Sequence, residues 1–317
     1  MFTPKAPGIL TITAVYVPSS SDTTFKGSQG TTTISPGAQS TSTNVVCPGP
    51  IVVNQGSTCT VTVDSTATSG ASSPTGSVSL TVNAYVSPLT ISCTLSPATG
   101  PSSTCSVQFT GSTAGSATIT ATFVGNSAYV TSHGSATLTV GLRTTSTTVS
   151  CDSPVAIGQT STCTAIVTDT SATGTPITPA GTISFSSSGT AGSFADSQCN
   201  LSGLGVTASC TATFLDSTVM ESTTISASYA SSDSVHSDSA TTVGSIIIVN
   251  QRQSTIAISC QPTATVVGNY TTCIAVVSDS NPTTGTTPTG SVSFLNGTGT
   301  FATCTLSNGR CLASYTP

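Results

Sequence analysis

The chain reads as all-β, and three observations predict it. Thr and Val are abundant while Met, Glu, Lys and Leu, the usual helix builders, are scarce. Branching at Cβ stiffens χ1 and packs well on a pleated surface. No segment of useful length carries helical apolar spacing. Apolar and polar residues instead alternate over short runs broken by Gly, Pro and Asn, as in STTVSC (146–151) and SATITATF (116–123), the pattern of half-buried strands.

The strands are organised by a repeat that the cysteines mark. Cys47 and Cys59 are 12 apart, as are Cys93 and Cys105, and Cys151 and Cys163. Cys199 and Cys210 are 11 apart, Cys260 and Cys273 are 13 apart, and Cys304 and Cys311 are 7 apart. The first, third and fifth pairs sit in segments such as STTVSCDSPVAIGQTSTCTAIVTD (146–169), which read as two strands around a Gly-containing turn. The others sit in segments such as CNLSGLGVTASCTATF (199–214) and CTLSNGRCLASY (304–315). The latter has Asn308-Gly309 at its turn, the strongest short hairpin signal. Between the two types recurs PTGSVSL (74–80), PAGTISF (179–185) and PTGSVSF (288–294). Cys47 to Cys151 spans 104 positions and Cys151 to Cys260 spans 109. About 100 residues and seven short strands is the size of an immunoglobulin-like β-sandwich.

Two copies are complete and one is split. Residues 38–142 and 143–252 each read as a whole domain, and 253–317 as the first strands of a third. Residues 1–37 read as the complementary piece: ILTITAVYV (9–17) matches SATITATFV (116–124), and GTTTIS (30–35) takes the place of the final strand. MFTP (1–4) also resembles SYTP (314–317). Joining the C-terminus of one copy to the N-terminus of another restores the native period. Three readings follow. The chain is one period of a longer covalent array, or each subunit completes its neighbour by strand addition, or the segment is arbitrary and its matching ends are chance. An open sandwich would otherwise expose an apolar face and sheet edges.

Composition removes several function classes. Only 5 residues are Lys or Arg and 10 are Asp or Glu, while Ser and Thr make 122 of 317. Such a surface has no basic stripe for nucleic acid and no charge for anionic lipid. Twelve cysteines point to an oxidising, extracellular setting. No apolar run reaches 18 residues, so no membrane insertion is expected, and the N-terminus MFTPKAPGIL has no signal pattern.

Taken together, the segments GQTSTCTAIVTD, PAGTISF, SCTATF and TTISASY resemble the immunoglobulin-like repeat domains of large bacterial and archaeal surface proteins, adhesins and filament subunits. The resemblance covers essentially the whole chain. It implies a stalk, spacer, filament or adhesin at the cell surface, and it brings no catalytic residues. Copy one departs by reading TVNAYVSPLTISC (81–93) where copy two has FSSSGTAGSF (185–194).

Candidate chemistry is sparse. Four cysteines per domain allow three connectivities, of which neighbouring pairs across hairpins are the simplest: Cys47–Cys59, Cys93–Cys105, Cys151–Cys163, Cys199–Cys210, Cys260–Cys273 and Cys304–Cys311. His133 and His236 read as equivalent loop positions with a structural role. Asp64, Asp169 and Asp279 read as one recurring turn position, where Asp caps its own backbone. The other carboxylates, Glu221 among them, form no pair or cluster, and the junctions carry Arg143 and Arg252 where calcium would want acids. Phe109, Phe123, Phe185, Phe214, Tyr229 and Phe294 read as core. Asn200, Asn269 and Asn296 lie in N-x-S/T sequons, which points to a glycan coat on a surface poor in charge. No enzyme, cofactor or metal is expected. The expected partners are copies of the chain itself, joined head to tail in a semi-rigid, extended array, or a glycan or protein bound at sandwich-end loops.

Overall fold

The computed structural model describes residues 2, 4, 7–189, 192–217, 222–281, 285–297 and 300–317. Glu221, and Met1 and Thr3 of the MFTP segment, lie outside them. Every regular element among the described residues is a strand, as the dense β-branched alternation dictates. Two compact units divide the chain. The first holds residues up to Thr144 with Asp169–Ile177 and Asp233–Ser237, and the second holds the rest.

The first unit opens with a two-stranded antiparallel hairpin, β1 (Leu10–Tyr16) and β2 (Ser28–Ile34). A sandwich follows. One sheet orders β3 (Thr41–Val46), β5 (Gly56–Ser65), β10 (Ser102–Gly111) and β7 (Val86–Ser87), with β9 (Ser96–Pro97) pairing β10. The facing sheet orders β4 (Ile51–Val52), β12 (Ser132–Gly141), β11 (Gly115–Phe123), β6 (Ser77–Val82) and β8 (Thr90–Thr94). Inward positions alternate along each strand, so Cys59, Val61 and Val63 of β5 meet Ala117, Ile119 and Phe123 of β11 in one core with Phe109. Tandem immunoglobulin-like sandwiches are thus the architecture.

In the second unit the plan repeats. One sheet orders β13 (Thr145–Cys151), β15 (Thr160–Asp169), β20 (Thr207–Asp216) and β17 (Gly192–Phe194), with β19 (Ser202–Leu204) on β20. The other orders β14 (Val155–Ala156), β23 (Ser245–Asn250), β21 (Ser222–Ser231), β16 (Gly181–Ser187) and β18 (Gln198–Asn200), with β22 (Ser239–Ala240) on β21. Ile183, Phe185, Phe214, Ile225 and Tyr229 fill its core. The third copy stops at two partial sheets. One is β24 (Ser254–Gln261), β25 (Thr271–Asp279) and β28 (Arg310–Tyr315); the other is β26 (Ser291–Leu295) with β27 (Thr300–Thr305).

All twelve cysteines are bonded, and the two pair types differ in what they join. The first type staples neighbouring strands of one sheet: Cys260 faces Cys273 in register with Cα atoms 4.0 Å apart. The second type does not span a hairpin, which corrects the sequence expectation. Cys93 of β8 and Cys105 of β10 lie in opposite sheets, as do Cys199 of β18 and Cys210 of β20, and Cys304 of β27 and Cys311 of β28. Asn308-Gly309 is a tight turn, with both residues at positive φ (52° and 74°) and reciprocal bonds between Ser307 and Arg310. That turn carries the chain from one sheet to the other.

Candidate functional site

The third copy presents an unfinished interior. Among the described residues β26 pairs with β27 alone, where its counterparts β6 and β16 also pair with β11 and β21. The space left is a cavity of about 460 Å³ lined by Ile258, Cys260, Cys273, Phe294, Leu295 and Tyr315. The segment Thr265–Val266, which corresponds to β4 and β14, is not a strand. The reason is topological: β4 and β14 each pair in parallel with the final strand of their domain, and among the described residues no strand stands in that place beside Thr265–Val266. Val267 is consequently 90% exposed, whereas its counterpart Val53 is 3% exposed.

The N-terminal hairpin presents the reverse defect. Leu10, Ile12, Ala14 and Tyr16 occupy the positions of Ala117, Ile119, Ala121 and Phe123, four residues with no exposed surface. In the hairpin all are exposed, Tyr16 to 48%. Its internal register equals that of β11 on β12: Leu10 faces Ile34 as Ala117 faces Leu138, and Ala14 faces Gly30 as Ala121 faces Gly134. A lone hairpin is marginal in water, and this one bears the apolar face of a sandwich sheet.

A second constellation recurs eight residues before the first cysteine of each copy. In the first unit Arg143 is fully buried; its Nε lies 2.6 Å from Asp169 Oδ2 and its Nη1 donates to the Val53 carbonyl at 2.9 Å. His236 sits against the same carboxylate, with Nδ1 2.6 Å from Asp233 Oδ2 and Nε2 3.1 Å from the Ile177 carbonyl. In the second unit Arg252 Nε lies 2.5 Å from Asp279 Oδ2, and its Nη1 donates to the Ile157 carbonyl. Copy one holds a neutral version: Gln39 replaces Arg143, Ser65 replaces Asp169 and donates to Gln39 Oε1 at 2.7 Å, and Tyr129 replaces His236.

Burial raises the Asp169 carboxyl, but hydrogen bonds from Arg143 and from the Ile177 and Ser171 amides outweigh it and hold it below the usual carboxylate range. Asp279 is pulled down to about 2 by the amides of Thr286 and Asn281 and by Arg252.

These geometries correct two sequence readings. Asp64 is not equivalent to Asp169 and Asp279; Ser65 is, because Thr66, Thr170 and Ser280, one residue on, all donate to the segment preceding their first strand. Asp64 instead accepts from Ser102. Nor are His133 and His236 equivalent. His133 lies on β12 as an exposed neighbour of Thr122, and Tyr129 is the counterpart of His236. The signal is the Asx turn three residues earlier: Asn126 caps the Tyr129 amide, Asp233 caps that of His236, and Asp22 caps that of Phe25 in the N-terminal segment. Asn200, Asn269 and Asn296 are all exposed, and Asn296 lines the open cavity. The described residues contain no cluster of His, Cys, Asp or Glu suited to a metal and no helix long and apolar enough to cross a membrane.

No protein-family model matches the chain, and no curated protein does. Among solved structures it is similar to FdeC, an adhesin of Escherichia coli, at 14% identity over 76% of this chain and 73% of that one, with a TM-score of 0.30. It is also similar to invasin, a bacterial integrin-binding protein, at 18% identity over 75% of this chain and a TM-score of 0.42; the match spans 46% of invasin. A transglutaminase of red sea bream matches at 11% identity over 66% of this chain and 31% of that one, with a TM-score of 0.30.

Proposed function

We propose that the chain is a non-catalytic building block of an extracellular surface filament or stalk, joined head to tail through the split sandwich. The observation that carries this reading is complementarity. Among the described residues, the last sandwich is built without counterparts of β11 and β12, and the first residues form a hairpin with the internal register of those two strands. Strand addition would pair a sheet edge that no described strand occupies and cover the exposed apolar face, and a heterologous contact of this kind propagates in line. The joint has the same form whether a peptide bond links successive copies or not. Six disulfides support an oxidising, extracellular location. Intact mass separates the two modes. A reduced, denatured mass of one 31.1 kDa period plus any glycan from filamentous material supports exchanged subunits, and a mass of many periods supports a covalent array. Native material of single, unassociated copies excludes the joint.

The second reading is an adhesin that binds glycan or protein through sandwich-end loops. The exposed Asn200 and Asn269 fit a glycan coat in either case, and Asn296 fits one only where the joint is open. Binding by single copies that never associate would favour it.

A further inference from the structure

Resting on the head-to-tail reading, we infer that the donated piece is the whole hairpin β1–β2 of a second copy, entering at one register: β1 pairs with the edge of β26 away from β27, which no described strand pairs, Tyr16 opposite Val292 and Ala14 opposite Phe294. Both complete copies use the equivalent register. Phe123 faces Val78 and Ala121 faces Leu80 in the first sandwich; Tyr229 faces Ile183 and Ala227 faces Phe185 in the second. The acceptor strands carry one motif, PTGSVSL, PAGTISF and PTGSVSF, so Val292 and Phe294 take the places of Val78 and Leu80. A slip by one residue would turn Tyr16, Ala14 and Ile12 away from the core.

Three further features agree with this register. The first is Gly30. Its counterpart Gly134 lies under the first strand of its own domain, where an added Cβ would stand 2.3 Å from the Thr43 carbonyl oxygen; at Gly30 nothing lies within 4 Å. Thr43 and Ile256 both sit four residues before the first cysteine of their copies, so strand β24 crosses Gly30 in the joint. Gly30 keeps a clearance that only the partner uses. The second is the unformed segment Thr265–Val266, which finds its parallel partner in residues 36–37, as Ile51 does on Val140. The third is Phe25, 64% exposed, which moves to the place of Tyr129 and His236, over the Arg252–Asp279 pair. The same register places Asn296 opposite Ile12, at the position of Val82, which is buried in the first sandwich. An N-glycan on Asn296 and a filled joint are therefore mutually exclusive.

Cross-linking and one glycine test the register on the full chain. Val15 and Ser293 take the places of Thr122 and Ser79, which are direct partners. Chains carrying Val15→Cys are mixed with chains carrying Ser293→Cys, and the new disulfide is mapped after non-reducing digestion. The expected product joins the two chains at those positions, with at least a tenfold lower yield when Ser293→Cys is paired with Thr11→Cys. Gly30→Val should leave the monomer folded and its six native disulfides intact while lowering assembly at least tenfold. A wild-type chain that stays single overturns both the head-to-tail reading and the register. Wild-type assembly with cross-links at another offset, with unimpeded Gly30→Val, or with a glycan on Asn296 in the assembled material overturns the register alone.

Discussion

Arg143→Gln and Asp169→Ser, singly and together, form a cycle that the protein itself suggests. Both side chains are fully buried, and Asp169 accepts from Arg143, Ser171 and Ile177. Removing one member strands a buried charge, which costs about 3–5 kcal/mol. Arg143→Gln leaves the carboxylate with its two amide donors, so its cost falls toward the lower end. Asp169→Ser leaves a guanidinium held only by carbonyls of Val53 and Thr173, with Nη2 already unpartnered, so its cost falls toward the upper end. The double replacement recreates Gln39 with Ser65, a part-buried pair that copy one holds without a formal charge. It should cost under about 2 kcal/mol, since replacing both members of a buried pair is often neutral. The coupling energy is then at least about 4 kcal/mol, the two single costs less that of the double. Equilibrium guanidinium unfolding of the four chains reads it, with the slope checked for constancy. Additive single effects, or a double variant worse than either single, would refute the claim that the two constellations are interchangeable.

Other outcomes follow from the same geometry. Because the Asp169 and Asp279 pKa values are lowered on folding, the stability they contribute is present above the unfolded value of about 3.9 and is lost as pH falls through the folded values. Acid unfolding should therefore begin below about pH 4, and Asp279→Asn should flatten the profile there; a midpoint near pH 6 would contradict it. Replacing Cys93 and Cys105 together by Ala should cost about 3 kcal/mol, the chain-entropy value for a loop of this size, read as a lower denaturation midpoint. Phe109→Ala, at a site with no exposed surface, should cost about 3–5 kcal/mol; under 1 kcal/mol would mean the first core is loosely packed.

Much of this architecture was legible as pattern. Alternation placed the strands because one face of each is buried, and the cysteine spacing set the repeat because each pair sits at a fixed place on it. Sheet membership was less legible. Asn308-Gly309 specifies a tight turn, yet β27 and β28 on either side of it pair with different partners, and a turn signal carries no information about which sheet receives the next strand. The junction constellation was hidden for another reason. Gln39, Ser65 and Tyr129 share position but not chemistry with Arg143, Asp169 and His236, so similarity of residue type pointed to Asp64 and His133 instead. Counting eight residues back from the first cysteine, or three on from the Asx turn, would have found them. The irregular backbone at Thr265–Val266 was not legible, because its residues are as strand-forming as those of its counterparts Ile51–Val52.

The central claim is that the hairpin of one copy completes the open sandwich of another, and the state of association of the purified 317-residue chain tests it most directly. Native mass and electron microscopy should show linear assemblies of many copies that release a 31.1 kDa polypeptide, plus any glycan, when the strands are unfolded. A monodisperse single copy at every concentration, with the Tyr16 and Val267 faces still open to solvent, would contradict it.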